Sequence, residues 1–202
     1  MSLLNKIKFL LTKPKVVIVL GGAKETAKEA ISQVLKPHFK VGKEILIIDQ
    51  DSKFFIKHSR LPILVVTHVG EYHPDKEFFA GDIAQVAEIV KLAETLPSPA
   101  YLILNFDDET VREIKNKSRA HPLTFGFGVR ADIRVSDVVL AESPTLETNF
   151  KINYKGNVVP VWLKGKEKEE IYAALAAAAV GEVLGLNLVE ISEALKKSSN
   201  MI

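Results

Sequence analysis

The stretch Lys15-Val-Val-Ile-Val-Leu-Gly-Gly-Ala-Lys-Glu-Thr26 decides the fold. From Val16 to Leu20 every residue is apolar and most are β-branched, the pattern of a strand buried on both faces. Two glycines end the run. Apolar residues then recur at helical spacing, Ala27, Ala30, Ile31 and Val34, until Pro37 stops the helix. The same alternation continues downstream. Glu44–Ile48, Ile63–Val66 and Tyr101–Leu104 read as buried strands. A helix over 82–96 carries Ile83, Val86, Ala87, Ile89, Val90 and Ala93 on its apolar side and closes at Pro97, and a short helix follows from Asp108 to about Lys117. Apolar strands separated by helices need crossover connections, so the expected fold is α/β, a mostly parallel sheet with helices on both faces.

From about Leu123 the texture changes. Thr124–Gly128, Ile133–Leu140, Asn149–Tyr154 and Val158–Leu163 look like shorter, alternating strands, with Lys155-Gly156-Asn157 as a turn. They predict a small antiparallel or mixed extension of the first sheet. Two helices, about 169–184 and 188–197, close the chain through Gly185. The expected division is an N-terminal helix over 1–13 and one compact α/β domain over 14–202.

Composition narrows the function classes. The chain has 202 residues, enough to bury a core without staples, and no cysteine, which excludes disulfides and thiolate metal sites and fits a cytoplasmic protein. A formal net charge of +2 gives no whole-chain signal for nucleic acid or membrane. Leu3–Leu11 is apolar and basic like the start of a signal peptide. Asn5, Lys6 and Lys8 interrupt it and no small-residue cleavage site follows, so a short amphipathic helix ending near Pro14 is expected. The apolar run 171–188 contains Glu182 and is alanine-rich, which fits a buried helix better than a membrane span.

A strand, glycines, then Lys24 and Thr26 at a helix start is the setting of a phosphate loop. Its chemistry needs convergent backbone N–H groups, a lysine for the outer phosphates and a hydroxyl for magnesium. Here Gly21-Gly22-Ala23-Lys24-Glu25-Thr26 is too short for the full motif, no glycine directly precedes Lys24, and Glu25 follows it instead of Ser or Thr. A carboxylate facing phosphate oxygens costs on the order of 1–4 kcal/mol near a surface. Glu25 could instead ligate magnesium. An ordinary strand-to-helix turn packed tightly through glycine explains the same residues.

Several segments in collinear order resemble the central, ATP-handling domain of the Mur ligases. Gly21–Ile31 is similar to that family's loop and helix, G-[ST]-x-G-K-T-T-T-K-E; Thr67-His-Val-Gly-Glu-Tyr-His73 to T-N-I-G-x-x-H; Leu104-Asn-Phe-Asp-Asp108 to L-N-A-D-D. Thr124-Phe-Gly126 with Ala131-Asp-Ile133 resembles T-F-G…A-D-[IV], and Ala173-Ala-Leu-Ala-Ala177 stands where N-A-L-A-A belongs. The likeness covers roughly 14–197 and is closest to the ligase that adds D-Ala-D-Ala. It implies ATP-dependent acid–amino acid ligation in peptidoglycan precursor synthesis, through an acyl phosphate, with ATP and magnesium as cofactors and a UDP-sugar-peptide as substrate. Carried over by position, Gly21, Gly22, Lys24, Thr26, Asn105 and Asp108 fall at the nucleotide, and Asp49, His73 and Glu25 at the metal. For His73 the competing reading is a loop residue that caps the next helix.

The departures are as specific as the matches. Beyond the loop, His68 replaces the asparagine of T-N-I-G. The helix over 82–96 lacks the Ala-Lys-x-Glu pattern of the carbamylated lysine, leaving only a displaced Lys91, and Glu169-Glu-Ile-Tyr-Ala173 replaces H-N-x-x-N. Only Met1–Lys13 precedes the first strand and Ser198–Ile202 follows the last helix, so the family's flanking domains are not found here, and the chain is not expected to ligate alone.

Other residues carry less. Lys164–Glu170 alternates charge as a solvated helix start does. In the pairs Asp49/Asp51 and Asp107/Asp108 at least one member is expected in turn or cap chemistry. His38, His58 and His121 lack partners at ligand spacing, and no G-x-S-x-G is present. Three roles follow: a degenerate ligase-like domain acting as a binding or partner module with ATP and magnesium binding weakened or lost; a ligase subunit completed by separate chains; or an α/β scaffold that homo-oligomerises through Phe54-Phe55 and Phe78-Phe79.

Overall fold

The computed structural model describes residues 3–49, 53–69, 71–72, 79–80, 83–140, 142, 147–164 and 167–198. The chain opens with helix α1 (Leu3–Thr12) and enters strand β1 (Lys15–Leu20), helix α2 (Lys24–Leu35), β2 (Ile45–Ile48), α3 (Lys53–His58) and β3 (Pro62–Val66). A two-residue ribbon, β4 (Glu71–Tyr72) and β5 (Phe79–Ala80), precedes α4 (Ile83–Glu94), β6 (Tyr101–Asn105) and α5 (Glu109–Glu113), which a 3₁₀ turn over Ile114–Lys117 prolongs. Strands β7 (His121–Gly126), β8 (Ile133–Val139), β9 (Glu147–Tyr154) and β10 (Asn157–Lys164) lead to α6 (Lys168–Val183) and α7 (Leu188–Ser198).

The main sheet has eight strands in the order β10-β9-β8-β7-β6-β3-β1-β2. All pairs from β2 across to β8 are parallel, while β9 pairs antiparallel with both β8 and β10. The expected α/β class and antiparallel extension are thus both present, fused into one sheet. Because side chains alternate faces along a strand, each apolar strand feeds two cores. Val17, Val19, Ile63, Val65 and Ile103 pack beneath α2, α6 and α7. Val16, Ile18, Leu64, Val66, Leu102 and Leu104 pack with Phe9 of α1, Ile56 of α3 and the apolar residues of α4 and α5.

Helix α6 explains the alanine run: Ala173–Val180 are all buried, because the helix is wedged between α2, α7 and the sheet. A Cβ on Gly181 would meet Ile191 of α7 at 2.9 Å and Val34 of α2 at 3.3 Å. Among the described residues no helix is long and apolar enough to cross a membrane. The expected scaffold contacts are half placed. Phe54 and Phe55 are partly buried against Phe9, with ring centroids 5.7 and 4.9 Å away, whereas the side chains of Phe78 and Phe79 lie outside the described residues.

The chain leaves β1 for β2 on one side and then crosses to β3 on the other. That reversal opens a crevice at the carboxyl ends of β1 and β3, the place where open parallel sheets gather ligand-handling loops.

Candidate functional site

The turn after β1 is closed by its neighbours. Gly21 has φ +106° and Ala23 φ +53°, so the backbone passes through left-handed conformations into α2. The Gly22 N–H donates to the His68 carbonyl at 2.8 Å, and the Thr67 N–H to the Leu20 carbonyl at 3.0 Å. The Thr67 hydroxyl reaches the carbonyls of Leu20 (3.2 Å) and Gly22. The turn is therefore stitched to the end of β3. Both glycines are needed for this. A side chain on Gly21 would strike the Thr67 hydroxyl, and one on Gly22 would strike the His68 imidazole, which lies against it.

The expected nucleotide and metal residues along α2 engage one another. The Lys24 side chain, partly buried at the first turn, makes no hydrogen bond or ion pair among the described residues. The Thr26 hydroxyl donates to Glu169 Oε1 of α6 at 3.0 Å. Glu25 and Asp49, the latter just past β2, converge on one cation, the Lys28 ammonium, at 2.9 and 3.0 Å. Bonding to the two carboxylates holds the Lys28 pKa above its usual value, and the lysine holds Asp49 below the ordinary carboxylate range. Lys28 thus takes the position between Glu25 and Asp49 that a divalent ion would need. His73 lies outside the described residues. Among those described, no group of three or more His, Cys, Asp or Glu stands close enough to hold a metal.

At the end of β6 the acidic and amide side chains are committed to backbone. Buried Asn105 accepts from the Asp107 N–H at 3.0 Å. Buried Asp108 caps α5 by accepting the Val111 N–H at 3.1 Å, and its other oxygen takes the Val69 N–H at 2.9 Å, tying β6 to the loop after β3. Asp107 accepts from the amides of Phe127 (2.6 Å) and Gly128 (2.9 Å) and from the Tyr172 hydroxyl (2.9 Å). In the pair Asp107/Asp108 the expected turn and cap chemistry is present, whereas in the pair Asp49/Asp51 the first pairs with Lys28 and the second lies outside the described residues. The reach of Asp107 across to α6 was signalled only by Gly126-x-Gly128, whose missing side chains leave room for its carboxylate.

Between the turn and α6 lies a cleft of about 400 Å³, counting the space open to solvent, lined by Ala23, Ala27, Thr67, His68, Lys168, Glu169 and Tyr172. Burial depresses the His68 pKa against the opposing pull of Glu169 and Asp108. Burial raises the Glu170 pKa, and its Oε2 is enclosed with no hydrogen-bond partner among the described residues. The cleft wall offers one imidazole, one phenol, one carboxylate and one ammonium group around an apolar floor. Lys28 is a participant that the sequence did not single out, since it becomes visible only when α2 and β2 are brought together, while Glu169 and Tyr172 stand in the segment read as replacing H-N-x-x-N.

No family model matches the chain. It is 31% identical over 149 residues to UDP-N-acetylmuramate–L-alanine ligase of Xylella fastidiosa (strain M12) and 29% identical over 149 residues to that of Xanthomonas campestris pv. campestris (strain B100). Each match covers 73% of this chain and 30% of the relative. Among solved structures, MurF from Thermotoga maritima in complex with ADP superposes with a TM-score of 0.71 at 20% identity, over 94% of this chain and 50% of that one. MurF from Acinetobacter baumannii gives 0.77 at 14% identity, over 96% and 48%. The chain spans under a third of the length of these curated relatives and about half of these solved chains. Sequence similarity thus runs to L-alanine ligases, while the fold is shared with the D-Ala-D-Ala-adding enzymes named by the residue motifs. With the segment order and the sheet in agreement, the chain belongs to the Mur ligase family.

Proposed function

We propose that this is a Mur-ligase-like domain that has given up ATP-dependent ligation and works in the cytoplasm as a binding or partner module. One observation carries the reading: the turn after β1 spends its Gly22 amide on the His68 carbonyl, with the imidazole laid against the glycine. A phosphate cradle needs such amides free and convergent. The cation position gives separate support, because the Lys28 ammonium neutralises Glu25 and Asp49, the carboxylates expected at magnesium. As they stand, these residues do not fit a magnesium–triphosphate. Calorimetric titration with Mg-ATP and Mg-ADP is expected to give no micromolar binding. Micromolar affinity, or acyl-phosphate formation with any carboxylate substrate, would overturn the proposal.

A second reading, a ligase subunit whose remaining parts come from other chains, rests on Lys24, whose ammonium at the start of α2 has no hydrogen-bond or ion-pair partner among the described residues. It requires that Lys24→Ala change a nucleotide-dependent property of the assembled complex, and unchanged behaviour removes it.

A further inference from the structure

The face built by α1 and α3 lies on the opposite side of the sheet from the cleft and takes no part in it. Phe9 of α1 is buried against Phe54 and Phe55, which fixes which side of α1 turns outward. On that outward side Ile7 is 51% exposed, Leu10 38% and Leu11 80%. Ile7 and Leu11 stand one helical turn apart, and at 100° per residue Lys6 and Lys8 fall on the two flanks of the stripe they form. Lys13 follows at the end of α1, and Lys53, Lys57 and Arg60 are exposed on and just after α3. The Arg60 N–H bonds the Pro14 carbonyl, and the Ser59 hydroxyl donates to the same carbonyl, so the two segments form one continuous surface.

The charge on this surface is unlike the rest of the chain. Over 202 residues, 27 Lys and Arg nearly balance 25 Asp and Glu. Residues 3–14 and 53–60 carry Lys6, Lys8, Lys13, Lys53, Lys57 and Arg60, and neither stretch contains an Asp or Glu. The near-neutral total therefore hides a one-signed patch. We propose that this face seats the domain on an anionic lipid bilayer, with Ile7, Leu10 and Leu11 entering the boundary between headgroups and acyl chains and the six cations engaging lipid phosphates.

The chemistry favours that occupant. A ten-residue helix is too short to span a bilayer and, with one side held in the core, can only lie in the interface plane. Lysines flanking an apolar stripe extend their stems along it and place their ammonium groups at headgroup level. An anionic bilayer supplies negative charge above an apolar layer, the same order as on this face. A second copy of the chain does not match it, since a two-fold contact through this surface would set cations against cations.

Co-sedimentation with vesicles tests the proposal on the whole chain. Vesicles of equal parts phosphatidylglycerol and phosphatidylcholine are expected to retain it, pure phosphatidylcholine is not, and added salt should release it. At about fivefold in partitioning per cation near such a surface, the double variant Lys6→Gln/Lys8→Gln should lower binding by roughly 25-fold. Leu11→Gln should lower it by about tenfold through lost apolar insertion. All three side chains are exposed, and the one ring contact among the described residues that the variants remove is Lys6 Nζ lying 5.6 Å over the Phe54 ring, so thermal melts of the variants should stay close to the parent. The proposal fails if neither vesicle binds, if phosphatidylcholine alone binds equally well, if the variants bind as the parent does, or if Leu11→Gln instead converts a dimer to a monomer on sizing.

Discussion

Lys28 concentrates the electrostatics on which the proposed loss of a metal-dependent nucleotide site turns. Its ammonium bridges Glu25 from its own helix and Asp49 from the end of β2; Lys28 and Asp49 are partly enclosed and Glu25 is exposed. Such a bridge contributes modestly, and Lys28→Met, which keeps most of the stem, should cost about 1 kcal/mol in urea denaturation. The more informative consequence is electrostatic. With the lysine gone, two carboxylates face each other without its charge between them, a pair that oxygen-seeking divalent cations favour. Millimolar magnesium or manganese should therefore raise the melting temperature of Lys28→Met and leave that of the parent unchanged. Equal responses of the two proteins would mean that the carboxylates do not converge as described.

At the scale of elements, the segment after β6 is a structural joint. Asp108 holds the first turn of α5 and the loop after β3 with one carboxylate, and both donors are backbone amides in a buried setting. Asp108→Ala removes a helix cap and strands a buried N–H, which together should destabilise the fold by about 2–4 kcal/mol. Asp108→Asn keeps the cap oxygen and should recover part of the loss. A urea midpoint for Asp108→Ala within experimental error of the parent would return the residue to a purely ligand-binding role. The sequence pattern L-N-x-D-D located this joint without revealing its use, because a cap and a nucleotide contact draw on the same residue types. The distinction depends on which amides lie opposite, here Val69 and Val111, and those are fixed only by the pairing of β3 with β6.

For the molecule as a whole, the long apolar strands and the alanine-rich helix were legible because burial on both faces leaves no other composition open to them. Helix α3 was not read, since Lys53–His58 is too short for periodicity to register. The site was legible as a place but not as a set of contacts, and its pH behaviour emerges only from groups far apart in the chain. Burial lowers the His68 pKa, so below the ordinary histidine value near 6.5 the unfolded chain takes up a proton that the folded one resists. That contribution to stability is present above about pH 6.5 and is lost as pH falls through the folded value. Glu170 and Glu182 are shifted upward by burial and act with the opposite sign, since the folded state binds their protons more readily and gains stability as pH falls. The two effects oppose each other in the parent. His68→Gln deletes one of them and leaves the glutamates untouched. Measured against the parent by urea midpoints, the variant should improve in relative stability between about pH 7.5 and about pH 5.5. A difference between the two proteins that does not vary with pH would mean that the imidazole over Gly22 is as free to take a proton in the fold as out of it, and the turn after β1 would then not be closed by a half-buried, desolvated histidine.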